Sequence, residues 1–227
     1  METVHQANIA LHILTGTAAL MLGLVALLSA KGGKVHNGCG NHFLACLSIV
    51  IVTGLLGVFV FGRNTFLLVI TVLTGYVSFS GYRALKLKSN VPRALDIIVA
   101  LVSLSALACF LYFFHSIGMI WSPIVIYSTV GAMLLVILYD FFRYLIPREI
   151  YAAQRIWLYE HIYKMISAFS GLLSAFAGTV LEEYQPHSQY LPSVLGVIII
   201  IGFMVYTYRD GLKRVQKHGV NKKEATA

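Results

Sequence analysis

ALDIIVALVSLSALACFLYFF, residues Ala94–Phe114, decides the fold: 21 residues carry one charge, Asp96, at the second residue after the opening alanine. A run of about 20 apolar residues is what a helix needs to cross a hydrocarbon core of roughly 30 Å. Outward from it the pattern repeats. Similar runs extend over Ile9–Leu28, Phe43–Phe61, Phe66–Leu85, Pro123–Phe142, Ile156–Leu181 and Leu191–Tyr208. The whole chain of 227 residues is 58% hydrophobic and 11% charged, with a mean hydropathy of +0.79. That balance excludes a water-soluble enzyme, a nucleic-acid-binding module and a disordered tail, because no soluble core of this size could take in so much apolar surface. The runs are continuously apolar rather than alternating, so helices and not barrel strands are expected. The fold class is therefore all-α, a polytopic bundle of seven transmembrane helices over residues 1–212, followed by a short basic tail, residues 213–227.

The net charge of +8 is read by position. Lys31 and Lys34, then Arg83, Lys86, Lys88 and Arg93, then Arg143, Arg148 and Arg155 fall in alternate loops, and Arg209, Lys213, Arg214, Lys217, Lys222 and Lys223 follow the last run. The opposite loops carry Arg63 and the acidic pair Glu182 and Glu183. Positive residues stay in the cytoplasm, so the amino terminus is expected outside and the carboxyl terminus inside. Met1–Asn8 holds Glu2 and no Lys or Arg, which argues against a cleavable signal peptide and for a retained first helix. Trp121, Tyr184 and Tyr190 sit where interfacial anchors belong. The five prolines fall in loops or first turns, so no broken helix is expected.

Small residues recur every four positions: Thr15, Ala19 and Gly23 in the first run; Ser167, Gly171 and Ala175, with Ser170, Ser174 and Gly178, in the sixth. Such stripes let backbones approach closely, and helix packing is the expected role. Cys39 and Cys46 lie on the expected reducing side, Cys109 stands alone, and no disulfide is expected.

Ionisable groups inside a membrane face a partner, a cavity or a cofactor. His36, His42, Arg83, Asp96, Asp140, Arg143, Glu160, His161 and Lys164 all fall at one expected depth, the cytoplasmic third. Asp140 must pair or protonate, and Lys164, Arg143 and His161 are its candidate partners. Glu160 and Lys164 stand four apart with the acid first, the favourable order for a helical ion pair. Lys164 has two open readings, snorkelling to the interface or turning inward. His36, Cys39 and His42 space like a metal motif, but Gly38 and Gly40 argue against a regular helix there. His12 stands alone in the outer half of the first run, where a hydrogen bond to a neighbour and ligation are both open. Imidazoles on different helices are the ordinary axial ligands of a membrane haem b: His36 or His42 with His161, or His12 with His115. Span seven lacks the lysine of a retinal protein, and no arginine ladder, selectivity filter or hydrolase motif is present.

HILTGTAAL (His12–Leu20) and Gly33-Lys34-Val35-His36 with Gly40 resemble the first half of a bacterial membrane-protein family, the domain of unknown function two-three-zero-six. Asp140 with Arg143, Glu160-His161-Ile162-Tyr163-Lys164-Met165 and Leu191-Pro192-Ser193-Val194-Leu195-Gly196 are similar to its Asp, His-x-x-Arg-Met and Pro-x-x-Gly elements. The resemblance covers most of the chain. It implies a multi-pass protein of the bacterial cytoplasmic membrane, with His12, His36, Asp140, His161 and Lys164 at motif positions, and it supplies no activity. Lys164 stands where the family pattern carries arginine, so a bidentate clamp is not implied. His42 has no counterpart.

The sequence thus leads to a protein that transfers electrons or protons, with haem b or a transition metal held among His12, His36, His161, Asp140 and Lys164, and His36 and His161 as metal ligands. Two alternatives stand beside it: a proton-coupled small-solute carrier, and a non-catalytic accessory or assembly subunit. A stand-alone enzyme is not the expectation. The partners implied are the lipid bilayer and a membrane-protein partner or second copy, with no nucleic acid.

Overall fold

The computed structural model describes residues 2–62, 66–117 and 122–224, with side chains described to Gly211. Arg63 and Trp121 lie outside the described residues, as do the side chains of the basic positions beyond Gly211. Among the described residues there are helices and no strands. Eight α-helices follow in order: α1 (Glu2–Leu28), α2 (Lys34–Phe59), α3 (Phe66–Leu87), α4 (Ala94–Ile117), α5 (Pro123–Phe142), the short α6 (Arg148–Ala153), α7 (Ile156–Val180) and α8 (His187–Glu224). One 3-10 turn, Arg143–Leu145, follows α5, and another, Glu182–Tyr184, follows α7.

Six of these helices are long and apolar enough to cross a membrane: α1, α2, most of α3, α4, α5 with its following turn, and the first part of α8. The sixth run of the sequence, now α7, has the length but not the apolar content, since Glu160, His161 and Lys164 stand in its first three turns. Its position explains how it carries them. It packs along α3 on one side and α8 on another, with α1 and α6 at its flanks. Nine of its residues are buried, Glu160 and Lys164 among them. By contrast, the apolar stretch of α8 is almost wholly open to the surroundings, as a helix bathed in lipid would be. Apolar content and burial are inversely placed, because lipid-facing residues must be apolar whereas residues screened by neighbours need only find partners.

Close approach needs small residues, and they stand where the helices touch. A Cβ on Gly81 of α3 would come 2.8 Å from the Lys164 Cβ of α7, and one on Gly171 would come 2.6 Å from Thr74 Oγ1 of α3. Gly196 of α8 abuts Ser170, and Gly23 of α1 abuts Phe169. The stripes expected to pack helices therefore do so. α4 and α5 lie against α3, where Leu107, Met133 and Ile137 are buried in the apolar core.

Four local expectations change. Residues 36–42 are regular helix in α2 despite Gly38 and Gly40, since a glycine costs a helix only about 1 kcal/mol and the surrounding helix outweighs it. α1 begins at Glu2, about two turns before the apolar run. α8 begins at His187, which puts Pro192 inside it rather than at its first turn. α8 also continues as helix through Glu224 with no break at residue 212.

Gly81→Ala is expected to lower stability by about 1–3 kcal/mol, since the added methyl meets a Cβ rather than a flexible tip. Gly202→Ala, where nothing lies within 4 Å of the added carbon, is expected to be neutral or slightly stabilising. Thermal unfolding of the two variants in mild detergent checks the contrast.

Candidate functional site, a buried network of four charges

The charged residues that the sequence places at one depth converge at one end of the bundle, the end with the basic loops. Asp140 comes from the last turn of α5, Arg143 from the 3-10 turn that ends it, and Glu160 and Lys164 from α7. Glu160 and Lys164 are 0% exposed, and Asp140 and Arg143 are each 5% exposed, so all four are removed from solvent. Lys164 Nζ lies 2.5 Å from Asp140 Oδ1 and 3.7 Å from Glu160 Oε2. Arg143 Nη1 donates to Glu160 Oε2, and its Nε stands 3.7 Å from Asp140 Oδ1. Two carboxylates thus face two cations, and the formal charge of the four sums to zero.

Hydroxyl groups close the network. Ser80 Oγ of α3 donates to Asp140 Oδ2 at 2.6 Å and accepts from Lys164 Nζ at 2.6 Å. Tyr76, one turn earlier on α3, donates to the same Asp140 oxygen at 2.9 Å, and Tyr139 donates to Glu160 Oε1 at 3.1 Å. The Lys164 ammonium also lies 5.5 Å from the Tyr163 ring centre and 5.9 Å from that of Tyr139, distances at which an aromatic face attracts a cation. Tyr151 of α6 is fully buried beside Glu160, and its hydroxyl makes no hydrogen bond. Burial first, and the Glu160 carboxylate second, hold that hydroxyl well above the usual tyrosine range, so it stays protonated. Asn90, in the loop after α3, donates from Nδ2 to the carbonyls of Arg143 at 3.0 Å and Ile146 at 2.7 Å, which fixes the turn that presents Arg143.

Of the residues singled out in the sequence, Asp140 and Lys164 meet directly. The snorkelling reading of Lys164 is corrected: its stem would have to cross the α3–α7 contact to reach an interface, and its head has charged and hydroxyl partners inside. His161 does not join Asp140, because its Nδ1–H donates instead to the Gly81 carbonyl at 3.2 Å. His36 makes the matching bond to the Ala26 carbonyl at 2.9 Å. A carbonyl only accepts, so both rings carry the proton on Nδ1 and leave Nε2 as the free nitrogen. His42 is exposed and bonds back to Gly38 of its own helix. His12 lies elsewhere: its Nδ1 is 2.8 Å from Thr53 Oγ1, and 14 residues separate it from Ala26, about 21 Å along α1. Its histidine-to-hydroxyl contact is the hydrogen-bonded reading of that residue. Among the described residues, no group of three or more His, Cys, Asp or Glu is arranged to hold a metal ion. The three cysteines are free.

Sequence reading missed Tyr76, Ser80, Tyr139, Tyr151, Tyr163 and Asn90. Tyr139 adjoins Asp140 in the chain, and Tyr76 and Ser80 share a helix face four apart, but serines and tyrosines near a bundle end read equally well as packing and interfacial anchoring.

A second ion pair lies one turn nearer the basic end. The Arg83 guanidinium engages both oxygens of Asp96, through Nε to Oδ1 and through Nη2 to Oδ2 at 3.0 Å, and the Arg93 amide also donates to Asp96 Oδ2, at 3.3 Å.

The fold and the site together define a class: an all-helical chain with six helices suited to cross a membrane and a charge-balanced, buried ion-pair network at its basic end. No protein-family model, curated protein or solved structure matches the chain.

Removing one partner of a buried pair leaves an uncompensated charge, which costs about 3–5 kcal/mol. Lys164→Met and Asp140→Asn are each expected to lose that much, whereas the double variant recovers a substantial part of the sum. Unfolding measurements on the three proteins form the cycle, and strict additivity would refute the pairing.

Proposed function

We propose that this chain is a proton-transfer protein of a bacterial cytoplasmic membrane, crossing it seven times with α7 as the screened central span and the basic end in the cytoplasm. One observation carries the reading: Lys164 Nζ, Ser80 Oγ and Asp140 form a closed, buried hydrogen-bonded ring. Within that ring a proton can move from the Lys164 ammonium to Ser80 Oγ while the serine proton moves to Asp140 Oδ2. One N–H bond breaks, one O–H bond forms on serine as another breaks, and one O–H bond forms on the carboxyl. The product is a neutral amine beside a neutral acid, with net charge unchanged. Low dielectric favours neutral forms over separated ions, so the two states are brought closer in energy than in water. Glu160 and Arg143 hold the surrounding potential, and Tyr76 fixes the Asp140 oxygen that receives the proton.

The cofactor part of the sequence expectation fits less well. The free space beside Asp140 is about 10 Å3, against the roughly 300–1,000 Å3 of sites that enclose small molecules and cofactors. A porphyrin does not fit in that space. Full pairing of the four charges supports the accessory-subunit alternative, in which the network only holds helices together.

Purified protein in liposomes loaded with a pH-sensitive dye separates the two. With a potassium diffusion potential applied, the wild-type protein is expected to acidify the lumen faster than empty liposomes do. Asp140→Asn should abolish that flux. Ser80→Ala, which keeps the ion pair and removes only the bridge, should slow it by about tenfold, a barrier change of roughly 1.4 kcal/mol. Wild-type flux equal to that of empty liposomes would overturn the relay and favour the structural reading.

A further inference from the structure

A cleft between α3, α4 and α5 borders the network. Ser80, Asp140 and Arg143 line it together with Phe79, Ile97 and Asp96. Arg83 stands three residues beyond Ser80 on α3, so the Arg83–Asp96 pair sits one turn closer to the surface than the Ser80–Asp140 contact. That pair is only partly covered, with side chains 17% and 9% exposed. The free volume of about 10 Å3 is at the lower limit of the space that admits one water.

A second, independent observation points to such a water. Arg143 Nε is buried and has no hydrogen-bond acceptor, although the side chain is only 6% exposed and its Nη1 is engaged by Glu160. An orphaned charged donor next to a polar space of one-water size is the setting in which buried waters are found, provided other polar partners are in reach. Here Asp140, Ser80 and Asp96 line the same space.

We propose that the cleft holds one bound water that carries protons between Asp96 and Asp140, with the Arg83–Asp96 pair as its gate. The inference rests on the relay reading for its purpose but not for the water itself. Every charged or titratable group facing the route is accounted for: Tyr76 and Arg83 from α3, Asp96 from α4, Asp140 from α5, Arg143 and Tyr144 from the turn, and Glu160 and Lys164 from α7. Asp96 is the outermost carboxylate of the set. The Arg83 fork holds it in place, and release of that fork frees a carboxylate oxygen to take a proton from bulk water.

Two readouts test the proposal separately. In bilayers of the wild-type protein labelled with 15N-arginine, water-edited solid-state NMR is expected to transfer magnetisation from water to Arg143 Nε. Ala100→Val, which narrows the cleft wall, should remove the transfer. No transfer in the wild type overturns the water whatever the flux. In the liposome assay, Asp96→Asn is expected to slow proton entry from the basic end by at least about tenfold. Unchanged flux in Asp96→Asn overturns the gate. Transfer present with no wild-type flux would sink the relay alone and leave the cleft water standing.

Discussion

The Lys164–Asp140 contact is the constraint on which the rest of the structure depends. Moving an ammonium and a carboxylate out of water costs several kcal/mol per ion, and only tight geometry with every remaining lone pair and proton engaged returns that cost. The surrounding architecture supplies most of that geometry, and among the four charged groups it leaves Arg143 Nε without an acceptor. Gly81 lets α3 come close enough for Ser80 to bridge the two ions. The 3-10 turn after α5 places Arg143 between both carboxylates, and Asn90 holds the carbonyls of that turn. Take away any of these and the pair is left with an unmet group in a medium that cannot meet it.

The same constraint sorts the helices. A helix that carries three ionisable groups, Glu160, His161 and Lys164, in three turns can sit in a membrane only when other helices screen it, so α7 is enclosed by α1, α3, α6 and α8. Its neighbour α8 then takes the lipid-exposed place and is correspondingly rich in Ile, Val and Leu. Small residues on α1, α7 and α8 follow, since an enclosed helix has to be approached from several sides. A zero-sum set of four charges also avoids the net field that a single buried ion would impose on its surroundings.

How much of this is legible in the sequence depends on the kind of signal. The apolar runs are visible because a membrane demands them residue by residue, and their placement matches the helices apart from the starts of α1 and α2 and both ends of α8. The depth of Asp140, Glu160 and Lys164 follows from counting along those runs, and the Glu160–Lys164 spacing already implies a pair. Which helix faces which is not written in any one run. Ser80 and Tyr76 therefore look like ordinary helix residues until α3 is seen against α5 and α7. His161 shows the converse error: it is three residues from Lys164, but α7 turns it toward the Gly81 carbonyl rather than toward Asp140. The glycines at 38 and 40 mislead for a different reason, because a glycine costs a helix only about 1 kcal/mol and the surrounding helix outweighs it. His12 keeps a role of its own, joining α1 to α2 through Thr53 far from the network.

The most direct test of the account is the distance from the Lys164 Nζ nitrogen to the Asp140 carboxyl carbon, measured by 15N–13C dipolar recoupling on the labelled protein in lipid bilayers. A strong coupling, as the 2.5 Å separation of Nζ and Oδ1 requires, is the predicted result. No measurable coupling, with Lys164 instead in contact with water or lipid headgroups, would mean that the lysine snorkels and that the network described here does not form.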